Sequence, residues 1–315
     1  MHYVPLGYRS HRNRYQELLD GPSGKQLACS FFLAYLAKPR MPLDARFLVR
    51  KSRASIVKTL KEKVVLITGA GRGIGSAIAV RCAEQGARIA VNFLKDTVAA
   101  EGTLNRIRQV GGEGILIQAD VRDPNQAHRL VEATAGAFGG LDVLVNNAHT
   151  PFQRLGISEL TWEQMQEQLH GTLRSSFNCV RSALAHLAVS DCSSILNISS
   201  VTVRLPERGY AHRNIAKAAL EEYTQCLAVE LCEMGIRVNA LSVGWTETDQ
   251  CADFSESYLE QKRREIPQGR FASPSEIAEV AAFMISSASS YMTGTVLPVA
   301  GGLSPSVQAI EETTL

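Results

Sequence analysis

From Lys63 onward, short apolar runs rich in Val and Ile alternate with stretches whose apolar positions recur at helical spacing. Strands buried on both sides read as continuous apolar runs, so this alternation predicts a parallel sheet with helices on both faces. Seven strands are expected, over 64–68, 88–93, 114–119, 143–146, 194–198, 237–241 and 295–299. They predict one Rossmann-type, doubly wound α/β domain over residues 61–303, with a seven-stranded, mostly parallel sheet. Helix starts are marked where an N-cap oxygen precedes Glu or Gln by three residues. Asp123–Gln126, Thr161–Gln164 and Ser273–Glu276 all read as capping boxes. Ala216, Leu220, Tyr223, Leu227 and Leu231 recur at helical spacing and predict one long helix whose apolar face packs on the sheet or on a second subunit.

Composition narrows the class. A chain of 315 residues with 45% hydrophobic positions can bury one sizeable core. The net charge is +2, yet residues 1–60 are rich in Arg and Lys and hold only Glu17, Asp20 and Asp44 as acids. The folded part is therefore slightly acidic, which argues against nucleic acid as a partner. Seven cysteines without a CxxC pair suggest reduced thiols in the cytoplasm, and no His/Cys spacing suggests a metal. The longest apolar run, Leu27 to Ala37, is far short of the roughly 20 residues of a membrane span.

The basic extension 1–60 admits three readings. Arg9, Arg12, Arg14 and Arg40 suit a transit peptide, the run after Gly24 faintly suits a signal segment, and Met41 suits an alternative start. The third is preferred, and no function is assigned to the extension or to the tail 304–315.

The first expected strand runs into Thr68-Gly69-Ala70-Gly71-Arg72-Gly73-Ile74-Gly75 and then into an Ala-rich helix. A glycine turn in that setting lets the backbone approach a pyrophosphate at a helix N-terminus. Thr68, Gly69, Gly73 and Gly75 match the T-G-x-x-x-G-x-G turn of the short-chain dehydrogenase/reductase family, which the chain resembles over about residues 60–303. Asp120-Val121 is similar to the family's adenine-bracketing pair. Asn146-Asn147-Ala148 is similar to its N-N-A-G, with His149 in place of the glycine. The resemblance implies cofactor contacts at Gly69, Arg72, Gly73, Ile74, Gly75, Phe93, Asp120, Val121, Asn146, Ala148, Lys217 and Thr248. An acid at the end of the second strand would favour NAD(H). Phe93 stands there, with Asn92, Lys95 and Arg72 near, so NADP(H) is preferred; Arg72 alternatively reads as a solvated turn residue.

In the family a tyrosine, a lysine four residues later and a serine thirteen residues earlier carry out carbonyl reduction. Ser200 and Lys217 match, but both counts land on Arg213. A guanidinium keeps its proton at ordinary pH and cannot be the acid, although it can hold an anionic group. Tyr210 reads either as a substitute donor or as an ordinary loop residue. Thr172 aligns with the family's active-site asparagine, and the segment from Trp245 to Arg264 reads as a lid.

The preferred expectation is an NADP(H)-dependent reductase of a small carbonyl compound, such as a 3-oxoacyl thioester, with resemblance to 3-oxoacyl carrier-protein reductases. The alternative is a catalytically impaired relative that binds the dinucleotide as a partner subunit or sensor. Homodimers or homotetramers through the helices near Thr161–Leu187 and Tyr210–Glu233 are implied. Phe177, Val180, Leu220, Leu227 and Leu231 on those helices read as core or interface.

Overall fold

The computed structural model describes residues 59–303; the expected basic extension up to residue 58 and the tail 304–315 lie outside the described residues. Leu60, at the end of the expected extension, is fully buried in the core beside β1. The seven strands are β1 (Val64–Ile67), β2 (Arg88–Phe93), β3 (Glu113–Gln118), β4 (Val143–Asn146), β5 (Ser194–Ser200), β6 (Arg237–Val243) and β7 (Val296–Val299). They lie in the order β3-β2-β1-β4-β5-β6-β7, and every neighbouring pair is parallel. The expected "mostly parallel" sheet is thus parallel throughout.

Alternation along β1 shows how the two layers form. Val65 and Ile67 face a cluster with Ile78 and Cys82 of α1 (Gly73–Glu84) and Ile277 and Ala281 of α8 (Pro274–Ile285). Val64 and Leu66 face the opposite cluster. There they meet Leu130 of α3 (Pro124–Phe138), Val180 of α5 (Ser175–Leu187) and Leu227 of α6 (Ala211–Glu230). Leaving edge strand β3, the chain passes through α3 to the far side of β1 and adds β4 there. This switch point opens a crevice at the carboxyl ends of β1 and β4.

Three local expectations are corrected. β5 and β6 run two residues further than their apolar runs, because Ser199 and Ser200 keep their register with Ser242 and Val243. At α3 the capping box is half made: Asp123 accepts from the Asn125 and Gln126 amides, but Gln126 Oε1 accepts from the Asp120 amide. The Asp123 amide is already donated to the Asp120 carbonyl in a tight turn. The boxes at Thr161 and Ser273 are complete. Finally, the helix after Thr161 is broken into α4 (Trp162–Leu169), a π-turn at His170–Arg174, and α5. α2 (Thr97–Gln109) covers β2 and β3.

Candidate active site

The glycine turn is shaped by steric need. Gly69 and Gly73 have φ of +61° and +59°, a region that L side chains seldom enter. A Cβ on Gly75 would lie 2.8 Å from the Gly69 carbonyl oxygen, and one on Gly69 would lie 2.9 Å from Ala148 Cα. Thr68 and Asn147 join the turn to the end of β4. Thr68 Oγ1 accepts from the amides of Asn147 and Ala148, both at 3.0 Å, while Asn147 Nδ2 donates to the Thr68 and Gly69 carbonyls. Buried Asn92 accepts from the Gly69 amide and donates to the Ala119 carbonyl, which fixes the turn against β3. Arg72, the N-cap of α1, makes no side-chain cap, so the positive end of that helix opens into the crevice.

The crevice has a volume of about 870 Å³. Of the residues that the resemblance implies as cofactor contacts, Gly69, Arg72, Gly73, Ile74, Gly75, Phe93, Asp120, Val121, Ala148, Lys217 and Thr248 line it. Asn146 does not. Its Nδ2 donates 2.8 Å to Asn197 Oδ1 inside the sheet, and it is Asn147, one residue on, that faces the cleft. At the end of β2 the cleft meets Phe93, Lys95 and Asp96. The Asp96 carboxylate caps α2 at the Ala99 amide, 2.9 Å away. Asp120 is gripped by Arg122, whose hydrogen bonds hold its carboxyl below the usual range despite partial burial. The cradle that a Cβ would fill, the uncapped helix end and the cleft's size all fit a dinucleotide.

Further along, Ser200 closes β5 and lines the cleft. Its Oγ lies 3.0 Å from Thr202 Oγ1 and accepts from Arg213 Nη1 at 3.1 Å; Nη1 also donates 2.7 Å to Thr202 Oγ1. Arg213, in the first turn of α6, has its guanidinium 5.2 Å from the centre of the Phe152 ring. Burial lowers its proton affinity, while Tyr210 and Glu207 act the other way. One helical turn on, Lys217 Nζ donates 2.6 Å to the Ile198 carbonyl. Burial first, then the Arg213 charge, push its pKa down to about 7 against an upward pull from Glu221.

Tyr210 does not begin the helix; it is the residue before α6. Its buried ring packs 5.2 Å from Phe152 under the Arg154 guanidinium. Thr172 is buried within the π-turn and is not among the residues lining the cleft, whereas Gly171 and Ser175 are. The wider turn rotates successive side chains away from α-helical spacing, so alignment by count picks the wrong face. The sequence reading assigned no role to Thr202, Phe152 or Arg154. Only Thr202, two residues after Ser200, carried a local signal.

His149 opens onto the cleft, where its Nε2 lies 2.8 Å from Gln250 Nε2. Desolvation and then the charges of Lys217 and Arg213 lower its pKa, which favours the neutral ring. Its φ is not positive, so the backbone there does not require glycine. The expected lid holds a 3₁₀ turn (Asp249–Asp253) and α7 (Glu256–Glu265). It has a small core of its own, in which Trp245 stacks on Phe271 at 5.2 Å and Phe254 on Tyr258 at 5.3 Å.

Of the helix residues left as core or interface, Val180, Leu220, Leu227 and Leu231 are core, and Phe177 is exposed. Among the described residues no helix is long and apolar enough to cross a membrane, and no group of His, Cys, Asp and Glu could hold a metal.

A family model described as enoyl-(acyl carrier protein) reductase matches residues 69–304. The 3-oxoacyl-(acyl-carrier-protein) reductase of Staphylococcus aureus is 33% identical over 241 residues, spanning 76% of this chain and 98% of that protein. Glucose 1-dehydrogenase 2 of Bacillus subtilis is 32% identical over 248 residues, spanning 78% of this chain and 96% of that protein. Among solved structures, a short-chain dehydrogenase from Burkholderia cenocepacia in complex with NADP superposes with a TM-score of 0.72 at 33% identity. That match covers 78% of this chain and 99% of the other.

Proposed function

The chain belongs to the short-chain dehydrogenase/reductase family of oxidoreductases, and from that membership we propose that it transfers hydride between NADP(H) and a small carbonyl or alcohol compound. The observation that carries this reading is one continuous cleft. It joins the glycine cradle at β1 to Ser200, Arg213 and Lys217 at β5 and α6. When bound, the dinucleotide supplies or accepts the hydride. Arg72 and Lys95, with Phe93 in place of an acid, support preference for the 2′-phosphate of NADP(H) over NAD(H). A 3-oxoacyl thioester is the first neutral substrate to test, since a relative is named for that reduction.

The chain's own residues then divide the remaining work. Ser200 Oγ donates to the carbonyl oxygen as negative charge gathers on it, and the Arg213 cation beside it favours that charge. Lys217 is the cleft residue that holds a transferable proton near neutral pH. Its ammonium gives that proton to the oxygen, and its bond to the Ile198 carbonyl keeps Nζ in position. Exposed Phe177 on α5, with Ile215 and Val229 on α6, supports assembly as a homodimer or homotetramer. The proposed setting is cytoplasmic, on the sequence grounds given above.

The test follows NADPH and NADH binding by nicotinamide fluorescence while oxidation is monitored against a panel of ketones, oxo acids and 3-oxoacyl thioesters. Binding with consumption of NADPH is expected. Tight binding without turnover would instead favour the partner-subunit or sensor reading, and failure to bind either dinucleotide would overturn both.

A further inference from the structure

The Arg213 guanidinium is a half-buried cation with no ion-pair partner among the described residues. Among the described residues no carboxylate lies within 4.0 Å of it. Its nearby acid, Glu207, is taken up by Lys262 at 3.0 Å and by the Tyr258 hydroxyl at 3.3 Å. One helical turn beyond Lys217, Glu221 accepts from Ser199 Oγ at 2.7 Å and lies 3.8 Å from Arg204. The acids that line the cleft, Asp96, Asp120, Asp249 and Asp253, make no ion pair with it. A cation partly withdrawn from water and left unpaired at the wall of a cleft gains most from an anionic ligand that enters that cleft.

The guanidinium's free donors say what would complete it. Only Nη1 is engaged, by the two hydroxyls; Nη2 and Nε carry no hydrogen bond among the described residues and are not sealed from the cleft. Two adjacent N–H donors on one planar group match the two oxygens of a carboxylate. A single charge matches a single charge, and Lys217 is already donated to a backbone carbonyl. Ser200 Oγ, which would hold the reacting carbonyl oxygen, is 3.1 Å from the same guanidinium. A carbonyl held at Ser200 and a carboxylate held at the neighbouring guanidinium belong to one small molecule in which few bonds separate the two groups, and an α-keto acid is the shortest such case.

We propose that Arg213 is the carboxylate anchor of the substrate site, and that the substrate is an α-keto acid or, in the reverse direction, the corresponding α-hydroxy acid. The aromatic residues Phe152, Trp245 and Phe254 line the same cleft and suit an apolar substituent on the carbonyl carbon. This rests on the oxidoreductase reading above and narrows its substrate, because the reacting end of a 3-oxoacyl thioester carries no carboxylate.

Calorimetry on the full chain saturated with NADP⁺, which cannot reduce the ligand, tests the anchor as binding alone. The probes are benzoylformate and its neutral methyl ester. Benzoylformate is expected to bind at least about tenfold more tightly than the ester, and Arg213→Gln should erase that difference. Arg213→Lys should restore part of it, and the far-ultraviolet circular dichroism of both variants should match the parent. Equal binding of acid and ester, or a preference that survives Arg213→Gln, overturns the proposal. Should NADP⁺ itself fail to bind, the oxidoreductase reading falls, and the same titration without dinucleotide still decides the carboxylate site.

Discussion

Arg213 Nη1 donates to Ser200 Oγ across 3.1 Å, which puts a permanent cation where counting along the chain places the family's phenol. With Thr202 bonded to both groups, the serine is held between a hydroxyl and a guanidinium. The positions of serine and lysine therefore persist around a different central residue, and the site's proton chemistry has to change with it.

Replacing Arg213 by tyrosine should move the enzyme towards neutral substrates. A positioned phenol supplies general acid catalysis, generally about 10² to 10⁴ in rate, while the carboxylate anchor is lost. The expected outcome is a rise of at least about tenfold in kcat/KM for a neutral aryl ketone, together with weaker binding of benzoylformate. If the ketone rate stays flat while the variant remains folded and binds NADPH, the arginine is not what limits neutral substrates.

The pH profile follows from Lys217. Its pKa is pushed down to about 7 by burial and by Arg213, and as donor it must carry its proton. Reduction should therefore be level in kcat/KM below about pH 7 and fall about tenfold per unit above it. Arg213→Gln removes the neighbouring positive charge, so the ammonium becomes easier to keep and the midpoint moves to higher pH. Lys217→Met should abolish the step altogether. A profile without a break between about pH 6 and 9 would mean that the proton comes from elsewhere.

Linkage gives the same group an effect on stability. Because its folded pKa is depressed, only the unfolded chain takes up the proton as pH falls from about 10 towards 7. Lys217 therefore destabilises the fold increasingly across that window, and the effect levels off below it. Lys217→Met should flatten this part of the stability curve, measured by denaturant unfolding at several pH values.

Much of this was legible in the chain because some structural demands fall directly on residue type. Strands buried on both faces need unbroken apolar runs, and the pyrophosphate turn needs glycine where a Cβ would strike Gly69 or Ala148. Arg213 could be located because the offset from β5 to α6 is set by backbone geometry that a single side chain does not alter. Other placements depended on facts that residue type does not encode. Which of Asn146 and Asn147 turns outward depends on where β4 stops, and Thr172 is rotated off the cleft by a π-turn that no local residue announces. The packing of Arg154 between Tyr210 and Tyr258 joins three distant segments and is wholly tertiary.

The glycine cradle can be closed by one methyl group. In Gly75→Ala the new Cβ meets the Gly69 carbonyl oxygen at 2.8 Å and Ala70 Cα at 3.0 Å; both atoms are backbone, so no rotamer relieves the contact. The turn must shift away from the position that presents its amides. NADPH affinity should fall by about a hundredfold or more, read by nicotinamide fluorescence, with the far-ultraviolet circular dichroism unchanged. Retained affinity would show that the dinucleotide does not depend on this turn.

Cofactor preference offers the sharpest separation of charge from shape. Arg72 and Lys95 line the cleft together with Phe93 and Asp96, and the Asp96 carboxylate caps α2. A 2′-phosphate would meet two cations, whereas the 2′-hydroxyl of NAD(H) would find the Asp96 carboxylate already accepting from the Ala99 amide. Removing both cations together, as Arg72→Ala with Lys95→Ala, should weaken NADPH by about ten- to a hundredfold and leave NADH within about threefold. The NADPH affinity of the parent protein should also fall with added salt more steeply than that of the double variant, since screening acts on the charges the variant lacks. Phe93→Asp should reverse the preference, because a carboxylate at the end of β2 bonds the hydroxyl and repels the phosphate. Equal losses for both dinucleotides in the double variant would assign Arg72 and Lys95 to the shared pyrophosphate instead, and the preference would then have to arise from another part of the cleft.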